Sequence, residues 1–212
     1  MTKKTNKQLF TVLATLLSIL NLGMSEQQIQ IQVTEKLKQE TVRVVQLKSQ
    51  LQELQRILLI QKKADCVINY YKKAGTLNIW WWINRDYVLE WFSYCDKWKF
   101  LAGEVKDVSD MTDFMIGIIH NESNGDKNCK TLEWNKTYSY GITQINDTCI
   151  KTIDKELNEK YPELKNKDIK TDVEKNIAGR YLWIKHRKDM GHSWALMNNG
   201  WTLYWYLSQV KP

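Results

Sequence analysis

Residues 26 to 63 contain no glycine or proline and are rich in Gln, Lys and Glu. When the a and d positions of a heptad are placed from Val33 to Gln61, seven of the nine are apolar, in alternating steps of four and three. A helix brings residues at this spacing onto one face. The pattern therefore predicts a long helical stalk over 26–64. It either pairs as a coiled coil or folds back on the rest of the chain as a single amphipathic helix.

The whole chain is expected to be mainly α, because its 212 residues include two prolines and nine glycines and so allow few tight turns. This length accommodates one domain of about 100 to 150 residues plus extensions. Helices are predicted within the aromatic segment 78–102, in the charged segment 151–175 with a break at Pro162, and over 176–188 and 193–210.

The N-terminus has the layout of an export signal. Three lysines precede a mostly apolar run from Leu9 to Met24, and Gly23 and Ser25 are small residues at which cleavage could occur. The run is shorter than the roughly 20 residues of a spanning helix. Residues 1–25 are therefore predicted to be a signal peptide or a membrane anchor, with the lysines held on the cytoplasmic side.

The net charge of +7 belongs to the N-terminal region. Residues 1 to 63 carry ten Lys/Arg and four Asp/Glu, whereas the remaining 149 residues carry 21 and 20. A nucleic-acid-binding domain normally concentrates basic charge on its own surface. The nearly balanced C-terminal part therefore argues against a nucleic-acid partner.

Four cysteines, Cys66, Cys95, Cys129 and Cys149, suggest disulfides if the chain is exported, and they allow three connectivities. A bond between Cys129 and Cys149 would close the segment between them, and one between Cys66 and Cys95 would fasten the start of the domain. The chain has no CxxC pair and no zinc-ligand spacing, so neither a metal nor a cofactor is expected.

Glu122 is the candidate acid of the C-terminal part. Ser109 or Asp110 can cap a helix whose apolar face leads to Glu122 about three turns later. The negative end of the helix dipole and apolar neighbours both disfavour a charged carboxylate. A carboxylic acid that keeps its proton can donate it to a glycosidic oxygen. Taken alone, however, a Glu-Ser pair is more typical of an ordinary solvated helix end.

Five segments give Glu122 a wider context: "IIHNES" (118–123), "SYGITQIN" (139–146), "NIAGRYLWI" (176–184), "ALMNNGW" (195–201) and "YLSQV" (206–210). Together they resemble the lysozyme-like lytic transglycosylases, enzymes of bacteria and phages that cut peptidoglycan. The elements occur in the family's order over about 100 residues. The first two are specific in combination, while each of the others is weak.

The resemblance implies a mainly α, lysozyme-like catalytic domain in which Glu122 is the general acid and then the base. The family is itself distantly similar to the chicken-type and goose-type lysozymes. Six further residues match motif positions and are expected to bind the substrate: Ser123, Ser139, Tyr140, Gln144, Ile145 and Asn198.

This chain also departs from the family pattern. Met197 stands where the family has a tyrosine before the last asparagine, and Thr143 stands where it usually has methionine. In the third motif the glycine and tyrosine come earlier than in the family, so either the register shifts and Trp183 takes the place of the tyrosine, or the helix is shortened. Three residues could replace the missing hydroxyl beside Glu122: Tyr181, Tyr204 and Tyr206.

Ser139 bears on the choice between transglycosylase and hydrolase. Chicken-type lysozymes have an aspartate at this place, and a glycosidase that uses water needs a second carboxylate. Glu133 and Asp147 are available but match no required position. A single acid favours closure by the sugar's own C6 hydroxyl to a 1,6-anhydro ring. We therefore predict a transglycosylase, with a hydrolytic muramidase as the alternative.

The predicted organisation is a signal or anchor (1–25), a stalk (26–64) and a transglycosylase domain (65–212) with its motifs in 109–210. We expect export to the periplasm or cell envelope, as a membrane-anchored or secreted protein of a bacterium or phage. The expected partners are peptidoglycan glycan strands, the membrane through the N-terminus, and a second copy through residues 33–61. The rival interpretation is a non-catalytic envelope assembly protein that binds glycan.

Overall fold

The computed structural model describes residues 25–73, 83–105, 108–189 and 201–211. These residues are mainly helical, which confirms the predicted fold class at this level. Apart from Ser25, the predicted signal or anchor lies outside the described residues. Within the ranges that are described, no helix is long and apolar enough to cross a membrane.

Helix α1 spans Glu26–Lys73, the 48-residue stretch that begins with the glycine- and proline-free segment. The chain separates into two compact units, Met1–Gln55 and Arg56–Pro212. The division falls within α1, earlier than the boundary at residue 64 predicted from composition. The last turns of α1 belong to the core of the second unit, where Ala64, Val67 and Tyr71 are fully buried.

The second unit continues with short elements around a central helix, α3. Its helices and strands are α2 (Arg85–Trp98), α3 (Met111–Ser123), β1 (Lys130–Leu132), β2 (Tyr138–Tyr140), β3 (Ile145–Asn146), α4 (Asp147–Lys160), α5 (Val173–Asp189) and α6 (Trp201–Ser208). Single 3-10 turns follow α2 at Lys99–Ala102 and α4 at Pro162–Leu164. The second of these turns begins at Pro162, where a break was predicted.

The three strands form one antiparallel sheet in the order β1-β2-β3. Ser139 on β2 lies opposite Thr131 on β1 and Asn146 on β3. Side chains alternate between the two faces of a strand. Ser139 therefore faces away from Tyr138 and Tyr140, and the two faces of β2 carry different chemistry.

Helix α3 is the most buried element of the second unit. The Asp110 side chain caps it by accepting a hydrogen bond from Thr112 N, and residues 112 to 119 are all buried. Lys63 Nζ lies 2.6 Å from Asp113 Oδ2 and 3.3 Å from Asp110 Oδ2, which ties the second unit's part of α1 to the start of α3. Burial, with Asp110 nearby, raises the pKa of Asp113 to about 6.

The chain turns sharply directly after α3. Asn124 adopts a left-handed conformation with a φ of 49°, and Gly125 follows with a φ of 78°, a region that favours glycine. A Cβ atom on Gly125 would lie 2.3 Å from the Trp91 ring. The tight turn fixes the direction in which Glu122 and Ser123 leave the helix.

Candidate active site

Glu122 lies in the last turn of α3, with its side chain 19% exposed. The helix before it is buried, and the left-handed Asn124 ends it two residues later. The carboxylate therefore stands at the edge of the core and is partly open to solvent. This position agrees with the predicted helix end.

Ser123 is buried and joins α3 to the turn between β2 and β3. Its hydroxyl donates a hydrogen bond of 2.7 Å to the Ile142 carbonyl and accepts one of 3.1 Å from Gly125 N. A second carbonyl, that of Ile119, lies 3.1 Å away. Ser123 thus holds the helix end against the turn, and its hydroxyl faces protein groups.

The turn over residues 141–144 is the second wall of the site. Gly141 N donates to the Cys129 carbonyl at 2.9 Å, and Gln144 Nε2 donates to the carbonyls of Gly141 at 2.8 Å and Cys129 at 3.0 Å. Gln144 is 6% exposed, and its Oε1 has no hydrogen-bond partner among the described residues. A buried oxygen without a donor is costly, and because this oxygen is enclosed, a ligand can reach it only if the surrounding side chains move.

Asn176 on α5 holds this turn in place through hydrogen bonds, and sequence reasoning did not assign it a role. Its Oδ1 accepts hydrogen bonds of 2.8 Å from both the N–H and the hydroxyl of Thr143. Its Nδ2 donates to the carbonyls of Tyr140 at 3.1 Å and Ile169 at 2.8 Å. A Cβ atom on Gly141 would lie 2.3 Å from this Nδ2, so the glycine and the asparagine fit together. The sequence feature that could have indicated this role is the asparagine that begins the third motif, "NIAGRYLWI".

Arg180, also on α5, is the charged partner of Glu122. Its Nη2 lies 2.9 Å from Glu122 Oε1, and its Nη1 approaches the Gln144 carbonyl at 3.5 Å. The guanidinium packs on the Trp183 ring at 4.5 Å from the centroid. The sequence predicted apolar surroundings for Glu122, and this arginine, 58 residues away along the chain, corrects that expectation.

Ser139 is buried and binds a carboxylate. Its hydroxyl donates to Glu133 Oε1 at 2.5 Å, and it accepts a hydrogen bond of 3.3 Å from Asn146 Nδ2. Glu133 lies in the connection between β1 and β2. Ser139 is therefore in direct contact with an acid from the β1–β2 connection.

The opposite face of the sheet carries aromatic rings and lysines. Lys130 Nζ lies 4.1 Å from the centroid of the Tyr138 ring, and Lys170 Nζ lies 4.0 Å from that of Tyr140. Trp134, in the β1–β2 connection, is 94% exposed. Ile145, predicted to contact the substrate, is instead buried in the core.

The tyrosines considered as partners of Glu122 have other contacts. The Tyr181 hydroxyl donates to the Met111 carbonyl at 3.0 Å, and the Tyr204 hydroxyl lies 3.1 Å from both N and Oγ of Ser109. Both therefore contact the beginning of α3. The Tyr206 ring packs near Tyr70 and is partly exposed.

All four cysteines are free thiols in the structure, so neither suggested disulfide is formed. Cys129 faces the Thr131 hydroxyl, whereas Cys149 donates to the Asn146 carbonyl. Burial raises the pKa of the thiols of Cys129, Cys149 and Cys95, which keeps them protonated.

Residues 195–200 of the fourth motif, which include Met197 and Asn198, lie outside the described residues. The elements that are described bring Glu122, Arg180 and Gln144 together and hold Glu133 on Ser139. Within the described ranges, this arrangement offers a helix-end acid that is paired with an arginine, and a second carboxylate bound to Ser139. No protein-family model, curated protein or solved structure matches this chain.

Proposed function

We propose that this protein cleaves the β-1,4 bond between N-acetylmuramic acid and N-acetylglucosamine in peptidoglycan glycan strands, as a lytic transglycosylase. The observation that carries the proposal is the position of Glu122. It is a partly exposed carboxylate at the end of a buried helix, which Ser123 fastens to the 141–144 turn. A polar wall opposite a single helix-end acid suits proton transfer to a bound sugar.

In the proposed reaction, the protonated Glu122 gives its proton to the glycosidic oxygen as the bond from C1 to that oxygen breaks. The acetamido oxygen of the substrate stabilises the electron-poor C1. The Glu122 carboxylate then takes the proton of the sugar's C6 hydroxyl, and that oxygen bonds to C1. The product is a 1,6-anhydro ring, and Glu122 ends in its starting protonated form.

Arg180 has a defined place in this proposal. In the structure its guanidinium forms an ion pair with the Glu122 carboxylate. Substrate must separate this pair before Glu122 can donate a proton. Once the proton has left, the guanidinium can stabilise the negative carboxylate, because it remains packed on Trp183 next to the site.

Gln144 and Trp134 are candidates for glycan contacts. Among the described residues the Oε1 of Gln144 has no hydrogen-bond partner, and it can accept the N–H of an acetamido group once the side chains that enclose it move. The exposed Trp134 ring offers a flat apolar surface that a sugar ring can cover.

The test is the substitution Glu122→Gln, assayed on purified peptidoglycan by chromatography and mass spectrometry of the released fragments. The amide keeps the shape of the side chain but has no acidic proton to transfer, so we expect at least a 100-fold loss of activity. Glu159→Gln is the matched control, since Glu159 is an exposed acid on α4, and it should retain wild-type activity. Cleavage by Glu122→Gln at the wild-type rate would disprove the assignment.

The Glu122–Arg180 pair specifically favours a second candidate, a non-catalytic glycan-binding protein of the cell envelope. A carboxyl group that is already engaged by an arginine is not presented to a glycosidic oxygen. Sedimentation with insoluble peptidoglycan distinguishes the two candidates. Binding by the wild type without any released fragments would favour the assembly role.

The stalk supports a proposal about organisation. Of its apolar heptad residues in the first unit, Leu47, Leu51 and Leu54 are 56–58% exposed. Exposed apolar side chains along one helical face suit pairing with a second copy. We place the protein in the periplasm or cell envelope, membrane-anchored or secreted and of bacterial or phage origin.

A further inference from the structure

Glu133 reaches Ser139 because of the conformation of the connection between β1 and β2. Glu133 N donates to the Thr137 carbonyl at 2.8 Å, and Lys136 N donates to the Glu133 carbonyl at 3.0 Å. Lys136 adopts a left-handed conformation with a φ of 65°, which lets the chain reverse. The backbone thus places Glu133 next to β2, and its side chain extends along the strand to Ser139.

The contact between Glu133 and Ser139 is short and supported. The distance of 2.5 Å is at the lower end of the range for a hydroxyl that donates to a carboxylate. Asn146 holds the Ser139 oxygen from the other side, and Asn146 is itself fixed as the N-cap of α4. Among the described residues, Ser139 is the donor that contacts the Glu133 carboxylate, through Oε1, so Oε2 remains able to accept from water.

Glu122 and Glu133 are connected to the same short segment of the sheet. Glu122 is linked through Arg180 to the carbonyl of Gln144, directly before β3. Glu133 is linked through Ser139 on β2, which pairs with Asn146 on β3. Each carboxylate is therefore connected to the β2–turn–β3 segment, Glu122 through the Arg180 guanidinium and Glu133 through the Ser139 hydroxyl.

We propose that Glu133 is the second catalytic carboxylate of this site and directs part of the reaction to water. This inference rests on the proposed function, because it requires that Glu122 cleaves the glycan. Ser139 occupies the place at which chicken-type lysozymes carry their aspartate. A carboxylate is nevertheless found beside this place, because the Ser139 hydroxyl donates a hydrogen bond to Glu133.

The step is a hydrolysis. Glu122 gives its proton to the glycosidic oxygen, and the bond between that oxygen and C1 breaks. A water oxygen bonds to C1 while Glu133 takes one of the water's protons. The product is a reducing end with a hydroxyl at C1. Glu122 is left as a carboxylate and Glu133 as an acid, and proton exchange with solvent restores both.

The roles of the two acids can be separated by their products. Without a base to activate water, the C6 hydroxyl competes successfully and yields 1,6-anhydro ends. With Glu133, water competes and yields reducing ends. A purely structural role of Glu133 would alter stability or total rate but would not alter the ratio of the two kinds of end.

The experiment digests purified peptidoglycan with the full chain in water enriched in oxygen-18. Mass spectrometry then counts reducing ends, which gain the label at C1, and anhydro ends, which do not. We expect labelled reducing ends from the wild type. In Glu133→Gln their ratio to anhydro ends should fall by about 100-fold, the usual scale of a general base. Glu163→Gln, an exposed acid beside Pro162, is the matched control and should keep the wild-type ratio.

Ser139→Ala provides a second variant that keeps Glu133 but removes its hydrogen bond. A smaller fall in the same ratio is expected, since the carboxylate is then less well oriented. The inference is overturned if the wild type yields anhydro ends alone, or if Glu133→Gln keeps the wild-type ratio. Failure of the proposed function itself gives a different result, either no cleavage by the wild type or normal cleavage by Glu122→Gln.

Discussion

Replacement of Asn176 by alanine removes the side chain that supports the 141–144 turn. Asn176 is fully buried and makes four side-chain hydrogen bonds. Three of its partners are backbone groups, the N–H of Thr143 and the carbonyls of Tyr140 and Ile169. Alanine leaves these groups without this partner and opens a cavity.

The magnitude follows from those bonds. A net hydrogen bond contributes about 1 kcal/mol, and a buried group left without its partner costs about 1–3 kcal/mol. Strand pairing between β2 and β3 and trapped water can satisfy some of these groups. The loss of unfolding free energy should therefore be smaller than the sum of the largest penalties for the separate groups. We expect Asn176→Ala to lower the free energy of unfolding by about 3–5 kcal/mol, at the upper end for single substitutions.

Urea unfolding of the full chain, followed by tryptophan fluorescence and circular dichroism, measures this change. Asn128→Ala is the matched control, since Asn128 is exposed, and should change the free energy by at most about 0.5 kcal/mol. Asn176→Asp keeps an acceptor for Thr143 but places a carboxylate oxygen against two carbonyls, so it should also destabilise strongly. A loss below about 1 kcal/mol in Asn176→Ala would refute the reasoning.

Two further predictions concern the second unit's core and the stalk. The pKa of Asp113 is raised to about 6, so between about pH 4 and pH 6 the folded protein keeps a proton that the unfolded chain loses. The contribution of Asp113 to the free energy of unfolding therefore falls as the pH rises through this range. Asp113→Asn should remove up to about 3 kcal/mol of that dependence in urea unfolding at several pH values, and equal slopes in both proteins would contradict it. Replacing Leu47 and Leu54 by Gln should convert self-associated protein to monomer in light scattering, whereas a wild type that is already monomeric would disprove the stalk proposal.

Much of the helical framework could be predicted from the sequence, because its signals are local. The absence of glycine and proline extends α1 without interruption, and Asp110 caps α3 through a residue two positions away. The position of Glu122 at a helix end follows from the same local pattern. The site wall, the 141–144 turn, was found through the resemblance.

The surroundings of Glu122 and Glu133 were decided by tertiary structure. Arg180 reaches Glu122 across 58 residues, and Asn176 reaches Thr143 across 33, so no local pattern reveals either contact. Glu133 is six residues from Ser139, yet their bond depends on the register of β1 and β2. The sequence by itself therefore indicated that Glu122 lies at a helix end. The packing of α5 and the sheet determined that Arg180 contacts Glu122 and that Ser139 binds Glu133, because such contacts form only when separate segments pack together.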